Sequence, residues 1–419
     1  MEAQMSLTYD PLAVALEIRE QLASEKRKLA FFLGAGTSMA VGIPGINELS
    51  DKVCEQLSEP FKTQYNTVKN KIPTSPNVEK ILDRIRLIRE MIGDSEKEEM
   101  DGLKGATTAK SIDTTICNTI CEIISKTPGK GLNTHLDFAH WIRALHSHRD
   151  YPLEIFTTNY DVLLECAMEQ IGLPYFDGFV GSVNPFFVPE SVEAEKDKKY
   201  ESVYPPQVWT RLWKIHGSIN WCICKNTNGT GRITRVSNIE PKKGNELVIF
   251  PSREKYMQSR KLPFLAFQDR LRKFLRDGES LMIIAGYSFL DEHLNEIIFQ
   301  GLRSNPRLAI MALIYGDESA GKKILPERII NYARDYKNIT IYGPDKACIG
   351  GIVAPWTEPS RKRKENESWP FWDETLKQFK LGDFVSFVSF LETFIGFKPM
   401  IASSQLPPEE EGLKEIKTS

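Results

Sequence analysis

The sequence has no excess of positive charge, no long apolar run and no pairs of cysteine motifs spaced like zinc ligands. Its 54 Lys and Arg residues are balanced by 56 Asp and Glu residues, for a formal net charge of -2. This balance gives no support for direct, specific binding to a nucleic-acid backbone. There is no stretch of about 18 apolar residues, and the first ten residues have no basic region followed by an apolar core. We therefore expect a soluble cytoplasmic protein that does not enter a membrane.

Cysteine is sparse, and its seven positions form no framework. An odd number of scattered cysteines argues against a secreted disulfide scaffold and favours a reducing compartment. Cys117 and Cys121 are four residues apart on a predicted helix, but no second pair or histidine has metal-ligand spacing with them. We therefore predict buried thiols there rather than zinc ligands. The cysteines are at positions 54, 117, 121, 166, 222, 224 and 348.

The 419 residues exceed what one hydrophobic core usually needs. We predict a main domain over residues 1–355 with a helical insertion at about 47–150, followed by a linker, a C-terminal helix and a disordered tail over 356–419. The aromatic face at 384–397 is either core packing or an oligomer contact.

Two further segments are predicted as loops. The charged stretch 93–110 is expected to be a mobile loop. The insertion 181–207 is either a lid over a site or a plain solvated loop.

The chain is organised around Lys28 to Gly45, KLAFFLGAGTSMAVGIPG. Its apolar run, Leu29 to Leu33, predicts a strand buried on both faces of a parallel sheet. The glycines that follow, at 34 and 36, allow positive φ and close approach of the backbone to a ligand, and the next hydroxyls lie where a helix can begin. The pattern indicates an anion site, although a glycine turn alone is more often ordinary turn chemistry.

Three more apolar stretches end in polar residues. TTNYD (157–161) follows one predicted strand, His216 and Gly217 follow a second, and Gly286 begins GYSFLDEHLN after a third. Carboxyl ends of parallel strands share one edge of a sheet, where open α/β sheets bind ligands. Asn159 and Asp161 have a structural alternative as cap and turn residues, and a lone histidine at a strand end is more often structural than catalytic.

Taken together, GAGTS (34–38), GIPG (42–45), TTNYD, HG and GYSFLDEHLN resemble sirtuin-like NAD-binding domains in their order. They look most like the bacterial branch that hydrolyses NAD in antiphage defence. The resemblance covers roughly residues 28–300. It implies an α/β fold with a doubly wound parallel sheet of the Rossmann-like, sirtuin type, and NAD lying across the carboxyl ends of its strands.

The resemblance also implies roles for individual residues. Asn159 and His216 would be the catalytic pair, with Asp161 on the nicotinamide or ribose side. The glycine loop would lie near the pyrophosphate, and Ser288 and Asp291 near the adenosine. The NAD-binding residues implied in this way are Gly34, Ala35, Gly36, Thr37, Ser38, Pro44, Thr158, Asp161, Gly286, Ser288 and Asp291.

The chain departs from protein-deacylating sirtuins in two ways. INEL follows GIPG in place of their Phe-Arg pair, and only Cys222 and Cys224 stand where those enzymes carry two CxxC pairs. A closed zinc site needs four ligands, so we expect no metal and predict water as the acceptor. The segment NTNGTGR (226–232) instead predicts a hairpin turn.

These features together predict an NAD+ hydrolase that releases ADP-ribose and nicotinamide, with NAD as substrate, acting in antiphage defence. The alternatives are an NAD-dependent deacylase or ADP-ribosyltransferase, and a sensor of NAD or nucleotides without turnover. The resemblance further suggests a homo-oligomer and a protein partner, with a HerA-type hexameric DNA-translocating ATPase ahead of an Argonaute-type nuclease.

Overall fold

The computed structural model describes most of the chain outside both termini and several internal segments. The remaining residues include about half of the insertion 181–207 and the tail predicted to be disordered. The described residues are 7–125, 132–145, 149–193, 206, 209–225, 231–236, 246–249, 263–319, 321–365 and 367–395.

Helices and strands alternate along much of the described chain. The helices are α1 (Pro11–Ala23), α2 (Ala35–Met39), α3 (Ile46–Gln56), α4 (Phe61–Lys69), α5 (Val78–Ile92), α6 (Ala106–Ser125), α7 (Leu132–Leu145), α8 (Leu163–Gln170), α9 (Pro189–Glu193), α10 (Phe264–Arg276), α11 (Glu292–Ser304), α12 (Glu327–Asp335) and α13 (Phe384–Glu392). The strands are β1 (Lys28–Leu33), β2 (Glu99–Met100), β3 (Leu103–Lys104), β4 (Glu154–Thr157), β5 (Tyr175–Phe176), β6 (Phe179–Val180), β7 (Phe186–Phe187), β8 (Thr210–Lys214), β9 (Gly217–Lys225), β10 (Gly231–Arg235), β11 (Glu246–Ile249), β12 (Ser280–Ala285), β13 (Leu308–Leu313), β14 (Asp317–Ser319), β15 (Lys322–Ile324), β16 (Ile339–Tyr342), β17 (Lys346–Ile349), β18 (Ile352–Pro355), β19 (Trp372–Asp373) and β20 (Gln378–Phe379).

Nine strands form the central sheet, in the order β18-β17-β16-β13-β12-β1-β4-β8-β5. The strands from β16 to β5 run parallel, and β1 lies between β12 and β4. The strands that follow β1 in the chain are added on both of its sides, so the sheet is doubly wound as predicted. The loops after β1, β4, β8 and β12 therefore share one edge.

The two faces of the sheet are covered by different helices. Ala30 and Phe32 of β1 point into a core shared with α10, α11 and α12. Leu29, Phe31 and Leu33 point into the opposite core, which is built with α1, α7, α8 and α13. Alternate residues of an extended strand face opposite ways, and both faces of β1 are apolar because both are buried.

The segment predicted as a helical insertion is helical from α3 to α7. Helices α3 to α6 enclose a third core, which includes the apolar stripe of α5. The stretch 93–110 was predicted as a mobile loop, and that prediction is wrong for much of its length. It holds the antiparallel pair β2 and β3 and the first turn of α6. Burial of Leu103 ties the hairpin to the helices.

Beyond β16 the central sheet continues, because β17 and β18 are added to it as an antiparallel hairpin. The pairing of β9 with β10 bears out the hairpin expected around 226–232, although residues 226–230 lie outside the described part of the chain. With β11, β7 and β6, these two strands form a second sheet of five strands.

The C-terminal helix α13 packs into the core beside α7 and β1. Phe387 is fully buried, and its ring centroid lies 6.3 Å from that of Phe31. The ring centroids of Phe384 and of Phe138 on α7 are 5.7 Å apart. The aromatic face at 384–397 is therefore packed inside the chain over its described part, which favours the core-packing alternative. Oligomerisation, and a contact on this helix, stay predictions.

Candidate functional site

Three loops at the carboxyl edge of the central sheet are joined by backbone hydrogen bonds. The Gly34 amide donates to the Ala285 carbonyl at 2.9 Å, and the Gly36 amide donates to the Gly286 carbonyl at 2.8 Å. On the other side, the Thr158 amide donates to the Leu33 carbonyl at 3.2 Å. The loops after β12, β1 and β4 thus form one connected surface, as the shared edge of parallel strands requires.

The glycines of this surface are needed for contact between two loops. A Cβ atom at Gly34 would lie 2.5 Å from the Gly286 oxygen, and one at Gly36 would lie 2.7 Å from the Gly286 Cα. Neither Gly34, with φ -98°, nor Gly36, in α2, uses the positive φ that glycine allows, whereas Gly286 has φ +65°. A substitution at Gly34 therefore disturbs the packing of the loops, in addition to any effect on a ligand.

Asn159 is held by its amide nitrogen. Nδ2 donates to the Gly34 carbonyl at 3.1 Å, to Thr37 Oγ1 at 3.0 Å and to Ser38 Oγ at 2.8 Å. The Oδ1 atom is buried and has no hydrogen-bond partner. A buried acceptor without a partner costs free energy, so its presence at a ligand-binding edge indicates an atom that a ligand or water satisfies.

Asp161 has both carboxylate oxygens engaged inside the protein. Oδ2 accepts from Ser38 Oγ at 2.6 Å, and Oδ1 accepts from the amide of Leu163, the first residue of α8, at 3.1 Å. The residue is only 7% exposed. Its predicted contact with the nicotinamide or ribose would use the lone pairs that these two hydrogen bonds leave free.

His216 lies beside Asp291, a pairing that the sequence did not predict. His216 Nε2 is 3.2 Å from Asp291 Oδ2, and both side chains are mostly buried. Asp291 Oδ1 also accepts from the backbone amides of His293 and Leu294, at 3.1 and 3.3 Å, and so caps α11. The carboxylate is thus fixed on one side by the helix and faces the imidazole on the other.

A hydrogen-bond network shapes the loop before Asp291. The Tyr287 hydroxyl donates to Asn295 Oδ1 at 2.9 Å, and Asn295 Nδ2 donates to the Phe289 carbonyl at 2.9 Å. Phe289 has φ +55°, a conformation that costs energy for a bulky residue. The buried Asn295 stabilises the strained turn that presents Asp291.

Tyr160 connects the site to the helical insertion. Its ring centroid is 6.4 Å from that of His216, and its hydroxyl donates to Glu79 of α5 at 3.1 Å. Burial, with the nearby Glu79 carboxylate, raises the pKa of Tyr160 well above its usual value. The Tyr160 carbonyl accepts from the Ile219 amide at 2.9 Å, which joins the loop after β4 to the segment after His216.

Lys214 is a buried residue beside the candidate site that the sequence analysis did not single out. It is 2% exposed on β8, and its Nζ lies 2.8 Å from Glu165 Oε1 and donates to the Asp161 carbonyl. Burial raises the pKa of Glu165, and the Lys214 charge opposes this rise. A lysine inside the apolar stretch from Leu212 to Ile215 was the available signal, because a buried ammonium needs partners.

The remaining predicted residues lie around this cluster. Ala35 is exposed at the start of α2, Ser288 is exposed on the loop after β12, and Pro44 is half-buried in the turn before α3. The structure therefore does not bring these three into the hydrogen-bonded cluster. Within the described residues, no group of three or more His, Cys, Asp or Glu side chains is arranged to hold a metal ion.

The family comparison agrees with this architecture. A family model for the SIR2-like domain matches residues 153–341, from β4 almost to the end of β16. SIR2-like domains bind NAD and are generally NAD-dependent enzymes, so the match supports a SIR2-like family and a broadly NAD-related activity. A search of curated proteins found no match. None of the helices in the described residues is long and apolar enough to cross a membrane.

Proposed function

We propose that this protein is an NAD+ hydrolase that cleaves the bond between nicotinamide and ribose to give ADP-ribose and nicotinamide. The observation that carries the proposal is the buried, unpartnered Oδ1 of Asn159 at the carboxyl edge of a sheet that matches a SIR2-like domain. An acceptor without a partner suits a hydroxyl donor, and NAD offers ribose hydroxyls while hydrolysis also needs water.

The reaction needs little from the protein beyond positioning and a proton acceptor. When the C1′–N bond breaks, nicotinamide leaves with the bonding electron pair as a neutral molecule, and positive charge develops on the ribose. Water attacks C1′ and loses one proton, so NAD+ and water give ADP-ribose, nicotinamide and a proton. In this proposal Asn159 orients the ribose or the water, and His216 takes the proton.

The Asp291 carboxylate supports His216 in this role. A carboxylate at Nε2 favours the tautomer with its hydrogen on Nε2, which leaves the Nδ1 lone pair as the base. Once the imidazole has taken a proton, the same carboxylate stabilises the positive charge.

A deacylase is less well supported, because the Cys222 and Cys224 pair lies on β9 of the second sheet. The Cys224 thiol is 3.1 Å from Thr234 Oγ1 on the neighbouring strand, and the Cys222 thiol is buried. We propose water as the acceptor and antiphage defence by NAD depletion as the role. On the resemblance in the sequence, we further propose a HerA-type ATPase as partner, with an Argonaute-type nuclease second.

The test is a time course of NAD with purified protein, alone and with each candidate partner, with the products identified. Asn159→Ala and His216→Ala should each lower kcat by about 100- to 10,000-fold while changing NAD affinity much less. Exposed residues of the same types on α7 provide controls, so Asn133→Ala and His140→Ala should keep wild-type rates.

Two results would contradict the proposal. Wild-type turnover by Asn159→Ala and His216→Ala would mean that the active site lies elsewhere. Binding of NAD by wild type without turnover under any partner condition would support a sensor instead. Transfer of ADP-ribose to a protein or deacylation of a peptide, in place of free ADP-ribose, would replace hydrolysis with one of those reactions.

A further inference from the structure

We propose that Asp161 is a positioning residue that sets the orientation of the Asn159 amide through the hydroxyl of Ser38. The three side chains form a short relay in which each hydrogen bond fixes the direction of the next. The relay deepens the proposed function, and its kinetic test rests on that function.

The relay begins at a group that can only accept. Ionised carboxylates have no hydrogen to donate, so the Ser38 hydroxyl must give its hydrogen to Asp161 Oδ2 at 2.6 Å. The other Asp161 oxygen is occupied by the Leu163 amide, which also can only donate. Ser38 is 4% exposed. Its oxygen therefore presents only lone pairs to its remaining neighbour, Asn159.

The other neighbours of the Asn159 amide are acceptors as well. Thr37 Oγ1 donates its hydrogen to the Gly34 carbonyl at 2.9 Å, so towards Asn159 it also presents lone pairs. The Gly34 carbonyl has no hydrogen to give. All three atoms near Asn159 Nδ2 thus accept hydrogen bonds, and a rotated amide would set its oxygen against them.

This arrangement explains why the buried Oδ1 of Asn159 is left without a partner. The relay turns the nitrogen towards the protein and keeps the oxygen for a hydroxyl donor. Lys214 also fixes the backbone next to the relay, because its Nζ donates to the Asp161 carbonyl. Asp161 thereby acts on the reaction without touching the substrate, which fits a carboxylate whose two oxygens are both engaged inside the protein.

Asp161→Asn tests the relay because it keeps the shape and can reverse the direction of the bonds. The Leu163 amide can only donate, so the asparagine oxygen should stay on it and the asparagine nitrogen should face Ser38. Ser38 would then accept from residue 161 and donate towards Asn159, where it meets the Nδ2 hydrogens. We expect kcat to fall by about 10- to 100-fold with KM changed less than about threefold.

The direction in which Ser38→Ala changes kcat in the Asp161→Asn background is the decisive measurement. Ser38→Ala alone removes one acceptor and should lower kcat by only about three- to tenfold. In the Asp161→Asn background the same change removes the misdirected hydroxyl, so Ser38→Ala should raise kcat above that of Asp161→Asn. Additive losses in the double variant, or wild-type kcat in Asp161→Asn, would overturn the relay. Asp335→Asn on the exposed side of α12 is the control for the chemical change.

A readout without catalysis separates this proposal from the proposed function. In protein labelled with 15N-asparagine, the Asn159 side-chain NH2 signals, assigned by their loss in Asn159→Asp, should exchange slowly with solvent in wild type. Asp161→Asn should shift these signals and speed their exchange, and Asp335→Asn should not. Unchanged signals in Asp161→Asn would overturn the relay. Should wild type hydrolyse no NAD, the proposed function fails and these spectra decide on the relay alone.

Discussion

The carboxylate of Asp291 makes contacts on both of its oxygens. One oxygen caps α11, and the other faces His216 at 3.2 Å. A group that is held in place by its helix costs little to organise during the reaction. The same residue therefore links the stability of a helix end to the orientation of the proposed base.

Asp291→Asn should separate these two roles. Asparagine is as good a helix cap as aspartate, so the melting temperature should change little. The negative charge beside the imidazole is lost, so we expect kcat for NAD hydrolysis to fall by about 10- to 100-fold. The measurement is steady-state NAD consumption together with thermal melting. Glu292→Gln removes the neighbouring exposed carboxylate and should leave both unchanged.

The opposite kinetic result would also be informative. If Asp291 instead occupied Nε2 and blocked a substrate contact there, Asp291→Asn would raise kcat or lower KM. Such an increase would contradict the orienting role.

His135 on α7 makes folding sensitive to acid. It is 1% exposed, its ring centroid is 5.3 Å from that of Phe384, and burial lowers its pKa to about 4, with the Asp161 charge opposing this. In the unfolded chain histidine titrates near 6.5, so between about pH 6.5 and 4 only the unfolded state takes the proton. Stability should therefore be lost as the pH falls through this window, by at most about 3 kcal/mol.

The measurement is urea unfolding of wild type and His135→Leu between pH 7 and 4. As the pH falls, the free energy of unfolding of wild type should decrease relative to that of His135→Leu. His140→Leu on the exposed side of the same helix should follow wild type. A constant difference between wild type and His135→Leu across this range would show that His135 is not the group responsible.

At the scale of elements, the loops after β1 and β12 fit together only because of glycine. A Cβ atom at Gly286 would lie 2.5 Å from the Thr37 amide nitrogen. Gly172 has nearly the same backbone, with φ +67° against +65°, but has nothing within 4 Å of its Cβ position. The two positions therefore differ mainly in the space around them.

Gly286→Ala and Gly172→Ala should consequently have different costs. Both substitutions should lower the free energy of unfolding by about 1–2 kcal/mol, because alanine is strained in the left-handed region. Only Gly286→Ala should lose a further 1–3 kcal/mol or so from the clash, and it should also lose NAD turnover, because Thr37 holds Asn159. Thermal melting and NAD consumption check this. Equal stability of the two variants would contradict the close packing of the loops.

Helix α13 offers a matched pair that separates core packing from assembly. Phe387→Asp puts a charge in the core beside β1, so we expect a loss of at least about 3–5 kcal/mol and little folded protein. Val385 lies on the same helix and is 40% exposed. Val385→Asp should leave melting unchanged, and light scattering should give the wild-type mass. A smaller mass for folded Val385→Asp would place an oligomer contact on this helix after all.

The sequence predicts β1, β4, β8 and β12 and the edge they share, because buried parallel strands are continuous apolar runs that end abruptly. It does not predict β5, β17 and β18, which are short and mixed in character. The pairing of His216 with Asp291 and of Ser38 with Asp161 was also missed. These contacts join residues far apart in the chain, and their distances depend on how the loops pack. Tyr160 and Lys214 were missed for the same reason.

For the whole molecule, we expect NAD hydrolysis to be independent of metal. Nicotinamide leaves as a neutral group and needs no Lewis acid, and the sequence has only one closely spaced cysteine pair after His216. Metal analysis of purified protein and NAD consumption after dialysis against a chelator provide the test. Stoichiometric zinc, with activity that is lost on chelation and restored by zinc, would refute this expectation. Any metal requirement of an ATPase partner must be measured separately.

The contact between Phe31 and Phe387 has a consequence for synthesis on the ribosome. At about 5–20 residues per second, roughly 20–70 s pass between the addition of these two residues. For most of that interval β1 lacks its neighbouring strand β12, and for all of it the face that holds Phe31 lacks α13. Until α13 is made, only α1, α7 and α8 can shield Leu29, Phe31 and Leu33, so this face of the central strand is the last part of its core to be completed.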